Sequence, residues 1–481
     1  MAAPSKLGKI IVRTVITLVA LPAVLLIALW LRPPDLLRVG ANYAAKIVCS
    51  NVFLAGRDPD EVLRTDVRSP GIALLRLVRI SVDRRQRLVR AGFLGFIGDG
   101  LALDRPGTGC AAIPDGNLGF AIHVNQVALQ TEGAFGAVDA VAATKVAAVT
   151  APETAATAPA SAPGADAPWP EGNTVEAAPA LNRLLADDSL TGPGLRAIVV
   201  VAHGRIVAER YGPGFSAATP LLGWSMAKSV IAGLAGVLVK EGRLTLDQSA
   251  GWATPGGDGR EHIRIADLLS MSSGLRFNEG YGAVSDITRM LYLEPNMSEF
   301  ARAQPLVHPV GEFWSYSSGS ANILSRIVQD AGGRLGAGIA AEKLFKPLGM
   351  GSALIETDED GTLVGSSYMY ATARDWARYG QFLLQDGVWR GREMLPRGYV
   401  DMMASPVASS GGRYGHGLVW LSPSDAALGI PADTFWMEGH DGQSIAIIRS
   451  REWVVVRLGL TPSYDNYQPQ PLVKALLDAA K

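Results

Sequence analysis

Ser225 and Lys228 lie three residues apart in "LLGWSMAKSVIAGL" (Leu221 to Leu234), a stretch that reads as a helix. A serine hydroxyl is a weak nucleophile at neutral pH and needs a neighbouring base to take its proton. Residues i and i+3 share one helix face, so the lysine amine can reach back to the serine oxygen. An ammonium accepts no proton, and burial beside Met226, Ile231 and Leu234 is the physical means of making this lysine neutral. In a helix's first turn the free backbone N–H groups also favour a developing oxyanion. The spacing alone is weak evidence, because serine and lysine are common and chance supplies such a pair readily in 481 residues.

Two further stretches give the pair company. "PVGEFWSYSSGSANILSRIV" supplies Tyr316, Ser317 and Ser318 at the start of an amphipathic helix, and "FWMEGHDGQSIAII" supplies His440, Asp441, Gly442 and Gln443 at the start of a strand. In this order the three stretches resemble the signature of the serine β-lactamase and penicillin-binding-protein superfamily: Ser-x-x-Lys, then Tyr-x-Asn or Ser-x-Asn, then Lys-Thr-Gly or His-x-Gly. Flanking segments such as "IRIADLLSMSSGL" and "KLFKPLGM" resemble its class C-like branch, which includes 6-aminohexanoate-dimer hydrolases and related esterases. The resemblance covers roughly residues 181–480 and implies an α+β fold, with an antiparallel sheet flanked by helices and a mostly helical subdomain.

Carried over residue by residue, the resemblance makes Ser225 the nucleophile, Lys228 its proton partner and Tyr316 a second acid/base group. It assigns the oxyanion hole to the backbone N–H groups of Ser225 and Gln443, and puts Ser318 where many relatives have asparagine. Gly442 fits a strand over which a side chain would obstruct the substrate. His440 departs from the lactamase lysine and is followed by the acidic Asp441. If Asp441 faces the pocket, it repels a carboxylate and favours an amine; an outward-pointing Asp441 is the other open reading. Amide or ester hydrolysis therefore ranks above lactam hydrolysis. Asp286, Tyr368 and Tyr370 fall in segments where relatives place pocket linings, and Trp224 adjoins the serine. Each has packing or capping as its bland reading.

The elements that must position these residues can be read more coarsely. A hairpin turning at His203-Gly204-Arg205 precedes the serine helix, a long helical block follows, and strands and a last helix end the chain. The length exceeds the usual single domain. We expect a helix over 1–32, a small β-rich module over 33–133 with a hairpin tip at Asp83-Arg84-Arg85-Gln86, an Ala/Pro/Thr-rich linker over 134–180, and the hydrolase domain over 181–481. Lys6, Lys9 and Arg13 precede an uncharged run from Thr14 to Leu31. Its length suits a transmembrane signal anchor, with the body of the protein on the periplasmic side of the inner membrane. The net charge of -1 argues against nucleic acid as a partner. No CxxC or HExxH occurs, so no metal or other cofactor is expected beside a small amide or ester substrate. Cys49 and Cys110 could be bridged or free.

Two other functions compete. Ser225 and His440 occur in the order of an α/β-hydrolase, which would need a parallel sheet and leave Lys228 idle. A fold relative without activity could instead work as an envelope binding module.

Overall fold

The computed structural model describes residues 20–124, 167–176, 178–252 and 257–480. Helix α1 (Ala20–Leu31) is followed after a 65° bend by α2 (Asp35–Phe53). A four-stranded antiparallel sheet comes next, β1 (Val78–Asp83), β2 (Leu88–Phe93), β3 (Ile97–Arg105) and β4 (Gly109–Ala112), in simple chain order. Its first hairpin turns where the sequence predicts, with Asp83 paired to Leu88. Ala73–Leu77 forms a 3-10 turn that leads into β1. Asp58 caps the short helix Pro59–Val62 by accepting from Glu61 N–H.

The region expected to be β-rich carries α2 as its centrepiece. Val39, Ala41, Ala44, Ala45, Val48 and Cys49 are buried against the sheet, and Gly100 lets β3 lie against the Ala41 carbonyl. Cys49 and Cys110 form a disulfide that ties α2 to β4.

A five-stranded antiparallel sheet forms the centre of the larger part. It uses β5 (Leu195–Ala202), β6 (Arg205–Tyr211), β7 (Thr434–Gly439), β8 (Gln443–Ile448) and β9 (Trp453–Gly459), in the order β7-β8-β9-β5-β6. Alternate residues feed two cores. Ile198, Val200, Ala446, Ile448 and Val455 meet the C-terminal helix Gln470–Ala479 on one face. Val199, Val201, Ile445, Ile447 and Val454 join the core that holds α3 (Met226–Lys240) on the other. Helix α3 is apolar all round, as a fully buried helix must be. Gly233 within it admits the Tyr379 hydroxyl, which donates to Ser229 O at 2.6 Å. The antiparallel sheet removes the α/β-hydrolase reading, which requires parallel strands.

Of the run Thr14–Leu31, residues 14–19 lie outside the described residues. Among the described residues no single helix is long and apolar enough to cross a membrane, and α2 is half of a bent pair only by composition, being packed on its sheet. Helix α1 presents Leu21, Val24, Leu25, Ile27 and Leu31 to solvent. Of the expected linker, 134–166 lie outside the described residues. Trp169 is fully buried, and its carbonyl accepts from Arg205 Nη1 at 2.7 Å, so this end of the segment lies on the larger part.

Candidate active site

Ser225 occupies the N-cap of α3 but makes no side-chain cap, so its hydroxyl is available for other partners. The approach is tight. Trp224 has φ +48°, and a Cβ at Gly223 would fall 2.2 Å from the Trp376 ring. This sharp turn delivers Ser225 to the start of the helix, with Lys228 one turn on.

Lys228 is fully buried, and its Nζ lies 2.9 Å from Ser225 Oγ, 3.0 Å from Ser318 Oγ and 2.7 Å from the Ser366 carbonyl oxygen. Burial pulls its pKa down to about 8, against a smaller upward pull from the Glu279 carboxylate. The three contacts suit a neutral amine, which has two N–H bonds and one lone pair. The Ser366 carbonyl can only accept. Ser318 Oγ donates its proton to Glu279 Oε2 at 3.2 Å, so it too accepts from Lys228. The lone pair is left for the Ser225 hydroxyl proton.

Tyr316 precedes helix α4 (Ser318–Gly332), whose N-cap Ser317 accepts from Ser320 N–H. The Tyr316 hydroxyl interacts with the Ser225 side chain, and its ring centroid lies 4.9 Å from Lys228 Nζ. Burial foremost, with nearby Glu279, holds the phenol pKa well above its ordinary value, so the ring is protonated at rest. Three segments, those of Ser225, Ser318 and Ser366, thus meet at the Lys228 amine.

The hairpin between β7 and β8 closes the other side. A Cβ at Gly439 would sit 2.2 Å from the Gly223 carbonyl oxygen, so the hairpin presses on the serine turn. Gln443 pairs with Gly439. Its side chain is spent on structure, donating to Gly459 O at 2.6 Å and accepting from Gly459 N–H at 2.9 Å. Gly442 has a different reason from the one expected. Its φ is +77° and a Cβ there would meet Arg457 Nη1 at 2.7 Å, away from the substrate side.

The remaining candidates divide. His440 is half-exposed, stacked on Tyr281 at 5.0 Å and edge-on to Trp224 at 5.8 Å. Asp441 is buried in the wall of a cavity with Trp224, and its Oδ1 lies 3.4 Å from His440 Nε2. Burial raises the Asp441 pKa, with His440 and Arg196 opposing. Asp286 is not a pocket residue: it opens the helix Asp286–Tyr292 and accepts from Asn278 N–H at 2.9 Å, fastening a loop. Tyr368 lies fully buried behind Trp224, with Lys46 Nζ 4.0 Å from its ring centroid. Tyr370 is equally buried, near Ser50, so both tyrosines pack the seam between α2 and the larger part.

Sequence reasoning missed Glu279. Its carboxylate accepts from the Ser318 backbone N–H and faces Lys228, and burial raises its pKa. It sits in "RFNEGYG", which carries no spacing relation to the serine or the lysine. The contribution of α2 to the cavity was also missed.

Residues 177–464 match the Beta-lactamase family. The chain belongs to that family. Over 219 residues it is 26% identical to the 6-aminohexanoate-dimer hydrolase of Paenarthrobacter ureafaciens, covering 43% of this chain and 56% of that protein. The chain thus spans little more than half the length of this curated relative. A Bacillus anthracis structure provisionally named a 6-aminohexanoate-dimer hydrolase superposes with a TM-score of 0.51 at 24% identity, covering 62% of this chain and 80% of that one. A family VIII carboxylesterase superposes with a TM-score of 0.51 at 16% identity, covering 63% and 98%. At these identities the two structures speak for the family's α+β fold.

Proposed function

We propose that the protein is a serine hydrolase that cleaves an amide or ester bond through an acyl-enzyme on Ser225. The observation that carries this reading is the contact of the buried Lys228 Nζ with Ser225 Oγ at 2.9 Å, with Ser318 Oγ and the Ser366 carbonyl oxygen as its other partners. Once it has lost a proton, the amine keeps two N–H donors for those two and its lone pair for the serine hydroxyl. Ser225 Oγ attacks the carbonyl carbon while its proton passes to Lys228 Nζ. The backbone N–H groups of Ser225 and Gln443 take the oxyanion. Tyr316, protonated at rest, gives its proton to the departing nitrogen or oxygen and is reprotonated from Lys228. Water then attacks the ester on Ser225, and its proton returns through the same groups to the serine oxygen. Kinship with a 6-aminohexanoate-dimer hydrolase supports amides of amino acids as one substrate class.

The same reading makes the N-terminal segment a membrane anchor that holds the site on the periplasmic face. Its support is the exposed apolar surface of α1 and the three basic residues before it.

The test is turnover of p-nitrophenyl esters, amino-acid amides and 6-aminohexanoate oligomers by the full-length chain. Ser225→Ala and Lys228→Ala are expected to lower kcat/KM by about a thousandfold or more, and Tyr316→Phe by about a hundredfold or more. Wild-type protein without turnover on any of these would favour the binding-module reading instead.

A further inference from the structure

We propose that the cavity beside Trp224 binds an unbranched, uncharged acyl chain, so that the acid delivered to Ser225 is a medium- or long-chain one. This rests on the acyl-enzyme reading above and adds the class of acyl group. The cavity holds about 210 Å³ and is built from two parts of the chain. Val39 and Tyr43 of α2, with Leu75 and Phe93, form one wall; Trp224 and His440 form the other. The first wall lies wholly outside residues 177–464, so it is an addition to the family's site rather than a part of it.

Three observations select an acyl chain. The lining contains no lysine, arginine or glutamate, and its single carboxylate, Asp441, lies 3.4 Å from His440 Nε2. An anionic substrate end would therefore lose its water there without a cationic partner, and a cationic one would compete with His440 for the single carboxylate, whereas methylenes gain from leaving water. Direction follows from Tyr316. The group that protonates the leaving atom marks the leaving-group side, and Tyr316 lies among Tyr414 and Trp420, neither of which lines the cavity. The acyl part of the substrate thus extends towards Trp224. Finally, the mouth is apolar: Leu36, Ile72 and Tyr281 there are 37%, 43% and 45% exposed. Leu36 follows by five residues the end of α1, whose Leu21, Val24, Leu25, Ile27 and Leu31 are exposed.

The experiment is a series of p-nitrophenyl acetate, butyrate, hexanoate and octanoate with the full-length chain, wild type and two variants at exposed lining positions. Ala283→Trp plugs the mouth and Ile72→Asp sets a carboxylate in it. In wild type, kcat/KM is expected to climb about threefold to fourfold per added methylene until the cavity is full. Each variant is expected to lower the octanoate-to-acetate ratio at least tenfold. That ratio is compared between proteins, so partition of the longer esters into detergent cancels. Ser225-dependent turnover with a flat or falling series, or an unchanged ratio in both variants, overturns the acyl-chain proposal and leaves the hydrolase reading standing. No Ser225-dependent turnover of any ester overturns the acyl-chain proposal, and if amino-acid amides and 6-aminohexanoate oligomers also go uncleaved it overturns both.

Discussion

The Lys228 amine sets the working pH range, because only its neutral form accepts the Ser225 proton. With the pKa drawn down to about 8, roughly a tenth of the protein is competent at pH 7. Below pH 8, kcat/KM is expected to rise about tenfold per pH unit and then to level off, which a stopped-time ester assay across pH 5.5–9.5 would measure. The Glu279 carboxylate favours the charged lysine. Glu279→Gln is therefore expected to move the acid limb to lower pH. Glu438 needs separate control, since burial lifts its pKa to about 7 and it neighbours Tyr316. A limb that persists in Glu438→Gln and shifts in Glu279→Gln belongs to Lys228. At this scale Ser225 and Lys228 were legible, because their contact is local to one helix. Glu279 was not legible, because its partner stands 39 residues away on the Tyr316 segment and no local pattern links them. Asp286 misled for the converse reason: a residue in the right segment turned out to hold the loop's own backbone.

Helix α2 and its sheet dock through buried charge as well as apolar packing. Lys46 pairs with Glu356 in the seam, and Ser50 Oγ donates to the same carboxylate at 2.9 Å. Cys110 N–H, beside the disulfide, also donates to it at 2.8 Å. Burial works against both charges, lowering the Lys46 pKa and raising that of Glu356, so each depends on the other. Glu356→Ala strands a buried ammonium and is expected to cost about 3–5 kcal/mol in denaturant unfolding, more than the Lys46→Met/Glu356→Leu pair, which removes both charges. The disulfide closes a loop of 61 residues. Replacing both cysteines with serine is expected to cost about 4 kcal/mol, read from the same unfolding curves. The hairpins at Asp83 and His203 were legible from alternation and turn residues, since strand period and turn chemistry are local. That Lys46 and Glu356 would meet across 310 residues was not, because neither segment marks its partner.

At the scale of the molecule, the family's fold places the serine, and the N-terminal segment changes what surrounds it. The motif order made the α+β fold legible, and the antiparallel sheet then removed the parallel-sheet alternative. The joint cavity could not be read from sequence, because its walls come from Leu36–Phe93 and Trp224–Asp441, and the contact between them exists only after docking. The proposed membrane attachment is tested at this scale too. Full-length protein is expected to sediment with membranes after high-salt washing, while a chain carrying aspartates at Leu21, Val24 and Leu25 is released. The central claim is that an uncharged Lys228 activates Ser225, and the most direct measurement is covalent trapping. Full-length protein is treated with a fluorophosphonate over a pH series, and the adduct is located by peptide mass spectrometry. The expected result is a single adduct on Ser225, formed at a rate that rises through pH 8 and falls to background in Lys228→Ala. An adduct elsewhere, or equal labelling of Ser225 in Lys228→Ala and wild type, would contradict it.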